Sequence, residues 1–91
     1  MSYQILYSFR AEKYLTRLIS SKVTIILNRI KYVSLNPFKQ DNNIKKLLGT
    51  ISSYRLRVGD IRVIYELNTQ TRTMFVTKIS PRGSVYDKIS S

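Results

Sequence analysis

The stretch Tyr54–Tyr65, YRLRVGDIRVIY, decides the fold. Tyr54, Leu56 and Val58 alternate with Arg55 and Arg57, and Ile61, Val63 and Tyr65 alternate with Arg62, Ile64 and Glu66. Period-two alternation is the pattern of strands with one buried face, and Gly59-Asp60 between the runs is a two-residue turn signal. The reading is a β-hairpin with an apolar face and a basic face. With Gly59-Asp60 as the loop, Val58 faces Ile61 and Arg57 faces Arg62. Like charges directly opposite each other on a sheet cost roughly 0.2–1 kcal/mol. A face that gathers Arg55, Arg57 and Arg62 works against its own stability, and local violations of this kind mark functional sites. An anion, phosphate above all, relieves the repulsion.

Outward from the hairpin, the chain punctuates itself. Tyr3, Ile5, Tyr7 and Phe9 recur at every second position and predict a first strand. Ala11, Tyr14, Leu15, Leu18 and Ile19 form a helical stripe. Ser20-Ser21 breaks it, with Ser21 expected as the N-cap of a second helix carrying Ile26, Leu27, Ile30 and Val33. Asn36-Pro37 ends that helix, because a residue before proline avoids helical backbone. Phe38–Ser53 is irregular, with one helical turn expected over Ile44–Leu48. After the hairpin, Asn68–Arg72 reads as a polar loop and Thr73–Ile79 as a long strand. That strand alternates Phe75, Thr77 and Ile79 with Met74, Val76 and Lys78. Pairing Leu67 with Thr73 puts Lys78 beside Arg62 on the basic face. Ser84–Ile89 is left as a last strand or turn.

The expected fold class is α+β: a two-helix N-terminal hairpin packed on one face of a mostly antiparallel sheet, in the order β-α-α-β-β-β, as a single domain over 1–91. The helices bury Leu56, Val58, Val63 and Tyr65. The other face stays open and carries the arginines.

Composition narrows the chemistry. Sixteen Lys/Arg against five Asp/Glu give a net charge of +11 on 91 residues. That balance calls for a polyanionic partner. There is no cysteine and no histidine, which removes disulfides, thiolate metal sites and histidine acid–base catalysis. No cofactor is expected. No apolar run reaches the ~20 residues of a membrane span, and the N-terminus lacks a signal-peptide layout, so a cytoplasmic protein is expected.

Each candidate has a plain reading beside a functional one. Arg55, Arg57, Arg62 and the adjoining Lys78 are either a solvated sheet face or a phosphate site, and arginine's planar fork suits the latter. Arg10, Lys13, Arg17, Lys22 and Arg29 read as helix surface. Tyr86 is either packed at a sheet edge or free to stack on a base. Tyr54 and Tyr65 share a face with Leu56 and Val63 and read as core. Glu66 offsets the basic face or serves as a base.

KLLG at Lys46–Gly49, YRLRVGDIRVIYEL from Tyr54 and PRGSVY from Pro81 together resemble the RelE/ParE toxins of toxin–antitoxin systems. The resemblance covers most of the chain, and the PRG form is similar to that of an archaeal-type branch. It implies a ribosome-dependent, metal-independent messenger RNA endonuclease in which a ribose 2′-hydroxyl attacks the neighbouring phosphate. Carried over by position, it implies Arg55 and Arg57 as basic residues of the first hairpin strand and Arg62 as the group facing the phosphorane-like transition state. It further implies Arg82 as the proton donor to the leaving oxygen and Tyr86 as the stacking ring. Lys46 and Lys78 join Arg55 and Arg57 as RNA-binding residues. The implied partners are the ribosome, mRNA and a small acidic antitoxin.

The departures matter too. Well-known members carry lysines where this chain has Arg55 and Arg57, and arginine does not give up its proton to serve as a base. The general base stays open among Lys78, Tyr86 and Glu66. Leu48 stands where some members have a basic residue. Two other functions share these features: a ParE-like inhibitor of DNA gyrase, and a non-catalytic RNA-binding relative.

Overall fold

The computed structural model describes residues 2–50 and 52–81. Arg82, Tyr86 and the expected last element at Ser84–Ile89 lie outside the described residues. The elements are β1 (Gln4–Tyr7), α1 (Phe9–Leu15), α2 (Ser20–Leu35), β2 (Ile44–Lys46), β3 (Ser53–Val58), β4 (Ile61–Asn68) and β5 (Thr73–Pro81). The sheet order is β1-β5-β4-β3-β2, with β1 parallel to β5 and the other pairs antiparallel. The expected α+β class and the one-sided helix packing hold.

The central hairpin has the register its sequence dictates. Val58 pairs with Ile61, Arg57 with Arg62 and Leu56 with Val63. Gly59 takes a φ of +59°, the positive value that the first position of a two-residue hairpin turn of the primed kind requires.

Ala11 of α1 and Ile26, Ile30 and Val33 of α2 pack against Leu56, Val63, Tyr65, Met74 and Val76 of the sheet. Val58 is half-buried at the margin of this core rather than inside it. Leu27, grouped with the buried stripe by spacing, is exposed.

Further expectations are corrected. The first strand stops at Tyr7, because Ser8 leaves the sheet to cap α1: its Oγ accepts from Ala11 N–H at 3.0 Å. Phe9 therefore opens the helix and is 79% exposed. The N-cap of α2 is Ile19, not Ser21, and both serines lie in its first turn. Ile44–Leu48 contains a short edge strand, β2, instead of a helical turn. Finally, β5 does not alternate evenly.

Tyr65 pairs with Val76 but Ile64 pairs with Lys78, so Thr77 is an extra residue, a β-bulge. A bulge of one residue reverses which face every later side chain takes. Met74 and Val76 are buried before it and Ile79 after it. The turn and the bulge each move the pairing by one residue: Asn68, not Leu67, lies across from Thr73, and Ser80, not Lys78, lies across from Arg62. Ser8 holds this irregularity, with its Oγ donating to the Thr77 carbonyl at 2.8 Å. No helix among the described residues is long and apolar enough to cross a membrane.

Candidate nucleic-acid interface

On β3 and β4 the residues that alternate with the core point to the open face. Arg55 and Arg57 lie on β3, and Arg62, Ile64 and Glu66 on β4. β2 adds to this face from the edge. Ile44 pairs with the buried Leu56, Lys45 with Arg55 and Lys46 with Tyr54. Residues directly opposite on a sheet share a face, so Lys45 joins the arginines and Lys46 points to the other side. There Lys46 lines a shallow groove with Tyr54, Phe38 and Lys39, and Lys45 also reaches the edge of that groove.

The basic residues enclose a recess of about 270 Å³, lined by Asn42, Asn43, Lys45, Arg55, Arg57 and Arg62. It presents four cationic side chains and no carboxylate. Arg55 and Arg62 are half-buried and Arg57 is exposed. The guanidinium of Arg57 donates from Nη2 to Asn43 Oδ1 at 3.1 Å. This arrangement suits a tetrahedral oxyanion: planar forks from two strands and an ammonium from a third converge on one volume.

Lys78 sits on the open face across from Ile64. It is thus a diagonal neighbour of Arg62, about 7–8 Å away in ordinary sheet geometry. The bulge at Thr77 places it there. Glu66 is four residues along β4 from Arg62, about 13 Å at strand rise. It lines a separate recess of about 720 Å³ with Leu6, Phe75 and Tyr54. Of the three candidate bases, Glu66 is therefore remote from the arginines, Lys78 flanks them, and Tyr86 lies outside the described residues, as does Arg82.

Asp41 stands behind the recess. Its carboxylate pairs with Arg29 Nη2 of α2, and its Oδ1 accepts from Asn43 N–H at 2.8 Å. The hydrogen bond from Arg29, then that from Asn43 N–H, holds its carboxyl below the usual carboxylate range. Arg29, read from sequence as plain surface, is instead partly buried in this pair and lies over the Tyr32 ring. On the core side, Tyr65 stacks on Tyr54 with ring centroids 5.6 Å apart. Burial, and then the neighbouring Tyr54, push the Tyr65 phenol up.

Sequence reasoning missed Lys45 and Asn43. Lys45 comes into step with Arg55 only once β2 is paired with β3. Asn43 carries no charge and sits in a loop, and only the fold brings it to Arg57.

No family model matches the chain, and no curated protein matches it. Solved structures do. RelE in the archaeal RelE–RelB complex of Pyrococcus horikoshii superposes with a TM-score of 0.80 at 28% identity, covering 93% of this chain and 100% of that one. The RelB–RelE complex of Methanococcus jannaschii matches at 0.71 and 26% identity, over 90% and 95% of the two chains. The isolated RelE toxin of E. coli matches at 0.77 and 20% identity, over 98% and 96%. The strand order, the one-sided helix pair and these superpositions agree: the chain has the RelE-like toxin fold.

Proposed function

We propose that this protein is the toxin of a toxin–antitoxin system and that it cleaves mRNA on the ribosome. The observation that carries the reading is the recess of Lys45, Arg55, Arg57 and Arg62 on the open sheet face. The solved archaeal matches are RelE proteins in complex with RelB. By that analogy the partner is an acidic antitoxin, which a chain of net charge +11 attracts at long range.

In the proposed reaction the scissile phosphate sits in the recess. The 2′-oxygen of the preceding ribose bonds to phosphorus, the bond to the 5′-oxygen breaks, and a 2′,3′-cyclic phosphate and a 5′-hydroxyl result. The 2′-hydroxyl proton leaves to a base and a proton is delivered to the 5′-oxygen, so no water enters this step. Negative charge grows on the phosphoryl oxygens as the fifth bond forms. Fixed cations aimed at that charge stabilise the transition state more than the ground state. Arg62, half-buried on the central strand β4, is assigned that role. Arg55, Arg57 and Lys45 hold the flanking backbone. Lys78 flanks Arg62 as the nearest described candidate for the base. Arg82 as proton donor and Tyr86 as stacking ring follow from the resemblance.

The test is cleavage by purified protein on programmed ribosomes, beside ribosome-free mRNA. Wild type is expected to cut only with ribosomes present, within the decoding site. Arg62→Ala should lose about 10²–10³ in rate, the usual consequence of removing one group that stabilises a developing oxyanion. Intact mRNA with folded wild-type protein would overturn the nuclease reading in favour of gyrase inhibition or binding alone.

A further inference from the structure

Arg57 is the most exposed of the three recess arginines, and its position depends on a residue outside the basic set. Its backbone N–H donates to the Asn43 carbonyl at 2.8 Å, and its Nη2 donates to Asn43 Oδ1 at 3.1 Å. Asn43 is in turn fixed by Asp41, whose Oδ1 accepts from Asn43 N–H at 2.8 Å and whose carbonyl accepts from Ile44 N–H at 3.0 Å. Asp41 is anchored by Arg29 on α2. A continuous chain of contacts therefore runs from the helix layer to the rim of the recess.

The choice of an amide has a physical reason. An amide oxygen can orient a guanidinium without cancelling its charge. A carboxylate at position 43 would pair with Arg57 and repel a phosphate. The one acid in this relay, Asp41, is set back from the recess and neutralised by Arg29. The arrangement orients the cation while leaving its field available.

Resting on the phosphate reading of the recess, we propose that Asn43 is a positioning residue. It holds the Arg57 fork toward the phosphodiester of a single-stranded RNA, and the Arg29–Asp41 pair holds Asn43. A long arginine side chain left unrestrained pays rotamer entropy each time it engages a ligand, and prior orientation removes that cost.

The test is a double-mutant cycle on binding of the full-length protein to a short single-stranded RNA bearing 2′-O-methyl groups, which cannot be cut. Affinity is read by fluorescence anisotropy for wild type, Asn43→Ala, Arg57→Ala and the double variant. Asn43→Ala should weaken binding about three- to tenfold, in line with loss of a charge-assisted hydrogen bond at a partly exposed site. In the Arg57→Ala background the same change should have no further effect, because residues that act through one another are not additive. An equal loss in both backgrounds, or no loss in wild type, would overturn the proposal. Asn43→Ser, which suits the same turn, repeats the cycle if the alanine variant unfolds. Wild-type cutting on ribosomes is scored separately. Coupling without cutting would support the positioning of Arg57 and overturn only the nuclease reading.

Discussion

Arg57 and Arg62 face each other across the central hairpin, and both lie on the rim of one recess. A bound anion should reverse the resulting repulsion. Anything that binds the native state alone stabilises it by mass action. Inorganic phosphate should therefore raise the thermal midpoint of the wild type more than chloride does at equal ionic strength. The excess should shrink in Arg55→Ala/Arg57→Ala toward the general stabilisation that phosphate gives any folded protein, as differential scanning fluorimetry would show. At the same scale, Tyr65 is fully buried and its hydroxyl has no hydrogen-bond partner among the described residues. An unsatisfied buried hydroxyl is costly, so Tyr65→Phe should stabilise the protein by about 1 kcal/mol in urea melts. Burial raises the pKa of both Tyr65 and Tyr7. With the folded value above the unfolded one, the stability these neutral phenols provide is complete below about pH 10 and is lost as pH rises further. Tyr65→Phe should also move alkaline unfolding to higher pH.

The elements show which patterns a sequence exposes. The β3–β4 hairpin was legible because strict alternation and a Gly-Asp turn leave one register that buries Leu56, Val63 and Tyr65 together. Arg55, Arg57 and Arg62 were legible for the same reason. β2 was not, because three residues with two adjacent lysines carry too little periodicity, and Lys45 was lost with it. The bulge at Thr77 was hidden too, since threonine suits either face and only the ladder reveals the extra residue. The parallel β1–β5 pairing joins segments nearly seventy residues apart in sequence (Ile5 with Met74), beyond any local signal. Ser8 links these features, since one hydroxyl caps α1 and also supplies the bulged Thr77 carbonyl with a donor. Ser8→Ala should cost about 1–2 kcal/mol, at the upper end for an N-cap, because both contacts disappear. Chemical denaturation would measure it, and a loss of only a few tenths would show that Arg10, whose Nε also donates to the Thr77 carbonyl at 3.4 Å, suffices for the bulge.

For the molecule as a whole, the question is how a net charge of +11 divides between diffuse attraction and a defined site. Basic residues on the helices, such as Lys22, which reaches Asp60 across the hairpin turn, add to the long-range field without touching the recess. A ligand seated in the recess displaces counterions only where its phosphates meet fixed cations. Four such cations predict that the logarithm of RNA affinity falls with the logarithm of salt at a slope of about −3, using roughly 0.7 per contact for single strands. Lys45 and Lys46 separate the two contributions, being neighbours in sequence with the same charge on opposite faces of one edge strand. Lys45→Ala should make the slope shallower by about 0.7. Lys46→Ala should leave the slope nearly unchanged and weaken binding only slightly at low salt. Anisotropy titrations across a salt series would decide, and equal effects of the two substitutions would mean that RNA reads the charge of the whole surface and not the geometry of the sheet face.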